Sequence, residues 1–190
     1  MHSTRLALVL LLAGSLASAQ PAPASTAAEP APSAGQVMER QLAILEREFV
    51  PAAEAMPEKH FNFAPTKGEF KGVKTLAQQV RHVASANYMF CAAIAGEKAP
   101  AELGGENGPE ALKTKAEIVQ YLKDSFTYAH KVFAGVTDAN ATGSVPSPFG
   151  QGKATRLGLA SLTVAHAFDH YGQMAVYLRM NGIIPPASRK

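Results

Sequence analysis

Two histidines four residues apart, His166 and His170, are the best candidates for chemistry in this sequence of 190 residues. On a helix, residues with this spacing lie on the same face, one turn apart. Two neutral imidazoles so placed can bind one divalent cation through ring nitrogens at about 2.0–2.1 Å. Burying two imidazoles side by side is costly unless they bind something. The spacing therefore predicts a metal site on a helix.

A third ligand is predicted at His82, which lies in an earlier helical segment. A metal bound by three imidazoles, with a coordination position left open, is typical of a reactive site, because a structural site fills its fourth coordination position with a protein ligand. Cys91 follows His82 by nine residues, which is about 180° around a helix. We therefore expect Cys91 to be a small buried apolar residue. We expect His60 to lie at the surface and His130 at the edge of an apolar face.

Other catalytic architectures fit the sequence less well. A ferritin-like di-iron bundle needs two Glu-x-x-His motifs and c-type haem needs Cys-x-x-Cys-His, and the sequence contains neither. The segment His166–His170 resembles the inverted zincin motif His-x-x-Glu-His, but it carries Asp169 at the general-base position, so a protease is a weaker alternative. No carboxylate pair and no nucleophile beside a base supports metal-free catalysis.

Three polar residues flank the histidine pair, and they could orient the ligands or relay a proton. They are Asp169, Tyr171 and Gln173. Each also has an ordinary structural interpretation. Asp169 can pair with a surface cation, Tyr171 can cover the end of a helical bundle, and Gln173 can satisfy a buried carbonyl.

The first 35 residues are predicted to lie outside the folded domain. Residues 1–19 combine a positive start, a short apolar run at 6–13 and Ala-Ser-Ala at 17–19, which is typical of a cleaved signal peptide. We expect an exported protein, periplasmic or secreted, with no stable membrane insertion after cleavage, because no later segment is apolar enough. Residues 20–35, rich in Pro, Ala and Ser, predict a disordered linker. Residues 36–190 then form one domain.

Composition excludes several kinds of partner and stabilising bond. The formal charge is +3, and the Lys and Arg residues are scattered, so no nucleic-acid surface is predicted. The single cysteine rules out an intramolecular disulfide. The stability of the domain must therefore come from its hydrophobic core.

Four helices are predicted from apolar periodicity, capping residues and glycine stops. They span about 36–49, 75–95, 114–134 and 155–181, with Pro51 beginning the last turn of the first helix or kinking it. On the fourth helix, His166 shares a heptad stripe with Leu159, Gln173 and Met180, and we expect this stripe to point inward. No strand-like alternation is evident. The predicted fold is all-α, a four-helix bundle.

Several of these features together resemble the DinB-like superfamily of small helical metalloproteins. One histidine lies midway along the second helix, and His-x-x-x-His-Tyr-Gly-Gln occupies 166–173 of the last. The run Met-Pro-Glu-Lys-His-Phe-Asn-Phe-Ala-Pro-Thr at 56–66 and the ending Tyr-Leu-Arg-Met-Asn-Gly-Ile-Ile-Pro-Pro at 177–186 add to the resemblance. The similarity extends from about Gln36 to Ser188.

The resemblance implies an up-down-down-up bundle whose long second connection is 96–113. It implies that His82, His166 and His170 hold one divalent ion (zinc, nickel, iron or manganese) with open positions for water. The resemblance also implies a metal-dependent hydrolase or transferase acting on a small molecule of unknown identity. Low-molecular-weight thiol cofactors are cytosolic, so the predicted export disfavours a thiol-dependent transferase. The alternative is a non-catalytic metal-binding or structural, stress-related bundle. Members of the superfamily often pair through helices, which implies a homodimer.

Overall fold

The computed structural model describes residues 31–189, and the predicted signal peptide and residues 20–30 of the predicted linker lie outside this range. Four long helices dominate the described chain: α1 (Ala34–Ala55), α2 (Leu76–Ala95), α3 (Lys115–Ala134) and α4 (Arg156–Met180). Short 3₁₀ turns occur at Glu58–His60 and Pro186–Ser188. None of the described helices is long and apolar enough to cross a bilayer.

Each helix begins where a side chain satisfies the free backbone donors of its first turn. Capping boxes pair the N-cap with the third helical residue in three helices: Ser33 with Gln36, Thr75 with Gln78, and Thr114 with Glu117. The second and third boxes confirm the predicted helix starts. The first places the start of α1 at Ala34, two residues earlier than predicted. α1 also continues past Pro51, which begins its last turn.

The bundle has antiparallel pairs α1/α3 and α2/α4. The Lys115 ammonium, at the start of α3, donates to the carbonyl of Met56 at the end of α1 over 2.7 Å. The Tyr177 hydroxyl, near the end of α4, donates to the carbonyl of Lys74 just before α2 over 3.1 Å. In each pair, therefore, one helix begins where the other ends.

α2 and α3 run parallel. The Ser85 and Tyr121 hydroxyls lie 3.1 Å apart, and further along both helices the Asn87 amide donates to the Ser125 hydroxyl over 3.2 Å. Parallel neighbours need a connection that returns along the bundle, and residues 96–114 provide it. The topology is up-down-down-up, as the sequence resemblance implied, and α1 and α2 are each packed against α3 and α4.

A small hairpin was not predicted from the sequence. Residues Ser144–Pro146 (β1) and Lys153–Thr155 (β2) pair antiparallel, with Val145 opposite Ala154. Val145 is buried, and β1 lies against α2. The expectation of a chain without strands is therefore wrong in this segment, because three-residue strands are too short for an alternating pattern to be recognised.

The core fills the space between all four helices. Phe49 of α1 and Phe126 of α3 are fully buried, with ring centroids 6.3 Å apart. Cys91 is also fully buried, and burial raises the pKa of its thiol to about 12. The thiol is thus a neutral core group at physiological pH, as predicted.

His130 joins α1 to α3 through two carboxylates. Its Nδ1 lies 2.5 Å from Glu39 and its Nε2 lies 2.9 Å from Glu46. Burial acts to lower the pKa of His130, but the hydrogen bonds and charges of Glu46 and Glu39 outweigh it, so the net shift is upward. The ring is therefore charged in a wider pH range in the folded chain than in the unfolded chain.

This raised pKa predicts a pH-dependent contribution to stability. The contribution is fully present below the unfolded pKa of about 6.5 and is lost as pH rises through the folded pKa. We expect His130→Gln to lower the free energy of unfolding by roughly 1 kcal/mol at pH 6, and the deficit to shrink at higher pH. Urea titrations from pH 6 to pH 9 would measure it. His60→Gln, at an exposed histidine, is the control, and an equal deficit at every pH would contradict the prediction.

Candidate metal centre

Three histidines meet where α2 crosses the middle of α4. His82 comes from α2, and His166 and His170 come from α4. Each offers one ring nitrogen, and the three nitrogens lie within 4.8 Å of one another. The ring centroids are 4.7–4.9 Å apart. The structure therefore brings together the three residues that the sequence singled out.

The burial of these histidines differs from the heptad expectation. His170 is on the buried face of α4 with 9% of its surface exposed, whereas His166 is half-buried at the margin. Gln173 and Met180, on the same predicted inward stripe, are exposed. A straight helix drifts by about 20° per heptad relative to a seven-residue repeat. The predicted stripe therefore rotates out of the core along α4.

His82 is oriented by a backbone carbonyl. Its Nδ1 lies 2.6 Å from the carbonyl oxygen of Glu106. A carbonyl only accepts, so Nδ1 carries the proton and Nε2 of the neutral ring presents a lone pair. That Nε2 lies 3.0 Å from Nε2 of His166. The hydrogen bond thus turns the unprotonated nitrogen of His82 toward α4.

His170 is oriented by a buried amide. Its Nδ1 lies 3.1 Å from Oε1 of Gln79, a residue of α2 with no exposed surface. The amide oxygen accepts, so Nδ1 again carries the proton and Nε2 is left free to bind a metal. Such a contact to the outer nitrogen fixes both the tautomer and the ring plane of a ligating histidine.

His166 has a polar atom that the protein alone does not satisfy. Because Nε2 of His82 has no proton, the 3.0 Å contact requires Nε2 of neutral His166 to donate to it. Nδ1 of His166 is then a buried acceptor, and it has no hydrogen-bond partner among the described residues. Buried polar atoms usually have one. A cation shared by the three rings would take the place of this ring-to-ring hydrogen bond, and the three nitrogens that converge within 4.8 Å fit a metal ion.

The environment of the two imidazoles on α4 keeps them neutral. Burial, followed by the charges of the neighbouring histidines, lowers the pKa of His166 and of His170 to about 4. Only neutral imidazole has a lone pair for a metal. At physiological pH the two rings on α4 therefore need not lose a proton before they bind a cation.

The polar residues that flank the histidines in sequence do not make these contacts. Asp169 and Gln173 are exposed and bond to each other over 3.0 Å. The negative charge of Asp169 acts to raise the pKa of both His166 and His170, although the net shift of each pKa is downward. Asp169 therefore influences the site electrostatically and not by direct contact. Tyr171 is half-buried, and its pKa is raised by burial and then by the charge of Glu48 on α1. Tyr171 is therefore oriented toward α1.

The residues that orient the histidines were not identified from the sequence. Gln79 lies three residues before His82 on α2 and belongs to no recognisable sequence motif. Only its full burial, which the structure reveals, marks it as different from a surface glutamine. Glu106 acts through its main-chain carbonyl, which any residue type would supply. Its carboxylate instead pairs with Lys74 over 2.8 Å.

The contact to Gln79 yields a direct prediction. We expect Gln79→Leu, which keeps the approximate size but removes the acceptor, to weaken metal binding by roughly 10- to 100-fold. The physical reason is that the Nδ1 donor of His170 is left buried and unpaired. Competition titration with a chromophoric chelator would measure the dissociation constant. Gln120→Leu, at an exposed position of α3, should bind like the unmodified protein; unchanged affinity in Gln79→Leu would rule out this orienting role.

Comparison with known proteins identifies the family. The family model of the DinB superfamily matches residues 41–174, a range that includes the three histidines. The chain belongs to the DinB superfamily. A comparison with curated proteins finds no match.

Two solved structures show the same fold. A DinB-like protein of Bacillus subtilis is 18% identical, with a TM-score of 0.58, over 77% of this chain and 92% of that chain. A DinB-like protein of Bacillus cereus is 15% identical, with a TM-score of 0.61, over 78% of this chain and 93% of that chain. At these identities the likeness concerns the fold, and the four-helix bundle predicted from the sequence is confirmed.

Proposed function

We propose that this protein binds one divalent metal ion through His82, His166 and His170 and uses it in hydrolysis or group transfer on a small molecule. One observation carries the proposal: three half-buried or buried imidazoles converge within 4.8 Å, and hydrogen bonds orient two of them with their free nitrogens available. Membership of the DinB superfamily supports the same donor set.

An accessible space beside the triad supports catalysis over a closed structural site. A cavity of about 360 Å³ borders His82 and is lined by Ser85, Met89 and Glu106 among others. The side chain of His82 is 18% exposed. A metal held here would polarise a bound electrophile and lower the pKa of a coordinated water. The residues of the chain hold the ion, orient its ligands and leave room for a substrate.

The metal content of the purified protein tests this proposal. Residues 20–190, purified without tag or chelator, should contain about one divalent ion per chain by elemental analysis, as a single three-histidine site requires. His82→Ala should lose it. The metal found is then the one to use in a screen against ester, amide and phosphoester substrates. Absence of metal in both proteins would contradict the proposal, and a metal-loaded protein that turns over no substrate would favour the non-catalytic alternative.

A further inference from the structure

The cavity beside His82 continues into a second one along α2. The first, which we name the polar chamber, contains the exposed side of His82 together with Ser85 and Glu106. The second, which we name the apolar chamber, has a volume of about 520 Å³. Both chambers are bordered by Met89 and Leu103. These two half-buried side chains form the partition between the chambers.

One face of α2 forms the floor of both chambers. The residues at 82, 85, 86, 89, 92, 93 and 96 repeat at the three- and four-residue spacing of a single helical face. From His82 to Ala93 this face extends for about 17 Å, at a rise of about 1.5 Å per residue. The opposite wall comes from the α2–α3 connection and from the hairpin, through Pro146 and Pro148.

The polar chamber offers a hydrogen-bond acceptor next to the triad. The Tyr121 hydroxyl donates to the carbonyl of Glu102 over 2.7 Å, so in the 3.1 Å contact between the hydroxyls of Ser85 and Tyr121 it is Ser85 that donates. The Ser85 oxygen keeps lone pairs for a group in the chamber. A polar substrate group in this chamber thus lies beside His82 of the triad and beside the hydroxyl oxygen of Ser85.

The apolar chamber offers almost no polar interaction. Its floor is made of Ala92, Ala93 and Gly96, and its walls are mainly Leu103 and prolines. The charged residue at its border, Glu97, accepts a hydrogen bond from the Tyr128 hydroxyl over 2.8 Å and is engaged with α3. Such a space binds apolar groups, since water within it has few partners.

We propose that the substrate is a small amphiphile, with its reacting polar group in the polar chamber and an unbranched apolar tail in the apolar chamber. This inference rests on the proposed function, because the triad defines which end reacts. Met89 is an unbranched, flexible side chain and adjusts to let the tail pass Leu103. The length of tail that fits is then set at Ala93, where a larger side chain would fill the chamber.

A chain-length series of metal-binding probes tests the proposal. Calorimetry of the zinc-loaded protein with linear hydroxamates, from acetohydroxamate to dodecanohydroxamate, should give affinities that rise about fourfold for each methylene that enters the apolar chamber. Ala93→Trp should remove this length dependence and keep the affinity for acetohydroxamate. The control Ala95→Trp, at an exposed position of the same helix outside both chambers, should retain it. Affinities that do not depend on length, or a series that Ala93→Trp leaves unchanged, would overturn the proposal.

A metal-free measurement separates this inference from the proposed function. In metal-free protein, 1-hexanol should shift the backbone amide resonances of Ala92, Ala93 and Gly96, and Ala93→Trp should abolish the shifts. If these shifts occur but no metal binds, the apolar chamber is a binding site for apolar groups and the proposed function is wrong. If metal binds but hexanol shifts no amide of the chamber, the amphiphile proposal fails alone.

Discussion

His170→Ala will not retain a metal ion after purification, whereas the unmodified protein will hold about one per chain. The substitution removes the most buried of the three imidazoles and leaves two ring nitrogens, which is too few for a stable site in this setting. It also leaves the Gln79 amide oxygen without its partner at the centre of the bundle. Elemental analysis after gel filtration measures the effect directly.

Two variants control for effects on the fold rather than on the ligand. Cys91→Ser changes a fully buried residue that contributes nothing to the triad, and it should keep its metal content. His130→Ala removes a histidine that bonds to Glu39 and Glu46 instead, and it should also keep the metal. Full metal content in His170→Ala would show that the triad is assigned wrongly. Loss of metal in Cys91→Ser would show that the ion is held elsewhere.

Gly108→Ala will weaken metal binding by roughly 10- to 100-fold although residue 108 touches no histidine nitrogen. Gly108 has φ +72°, and a Cβ there would come within 2.6–2.8 Å of Arg81 side-chain and backbone atoms. The α2–α3 connection would have to move away from α2. The Glu106 carbonyl would then leave Nδ1 of His82, and His82 would lose the contact that fixes its tautomer.

Gly105→Ala is the matched control for this prediction. It lies in the same loop, but a Cβ at Gly105 meets nothing within 4 Å. We expect its metal dissociation constant and melting temperature to equal those of the unmodified protein. Gly108→Ala should also lower the free energy of unfolding by more than about 1 kcal/mol, because alanine is strained at positive φ. Equal metal affinity in the two variants would show that the loop does not position His82.

Much of the architecture follows from local sequence signals. The capping boxes at Thr75 and Thr114 start two helices where predicted, because a side chain within three residues is all that a helix start requires. Gly96 ends α2 with φ +74° for a similarly local reason. Pro51 was harder to interpret, since a proline can start a last turn or kink a helix, and only packing of the following alanines against the core keeps α1 continuous to Ala55.

The three candidate ligands could be predicted from the amino-acid sequence, because i, i+4 spacing on one helix is a local property and His82 offered a third imidazole on another helix. Which ring nitrogen of each histidine faces the other two rings could not be predicted, because it depends on contacts between distant parts of the chain. That choice depends on Gln79 and on the Glu106 carbonyl, which reach the rings from α2 and from a loop 24 residues beyond His82. The greater burial of His170 than of His166 is likewise a property of the tertiary structure, since packing against α1 and α2 sets the rotation of α4 about its axis. Helix ends are local events, whereas the orientation of a side chain in a core depends on all the elements that surround it.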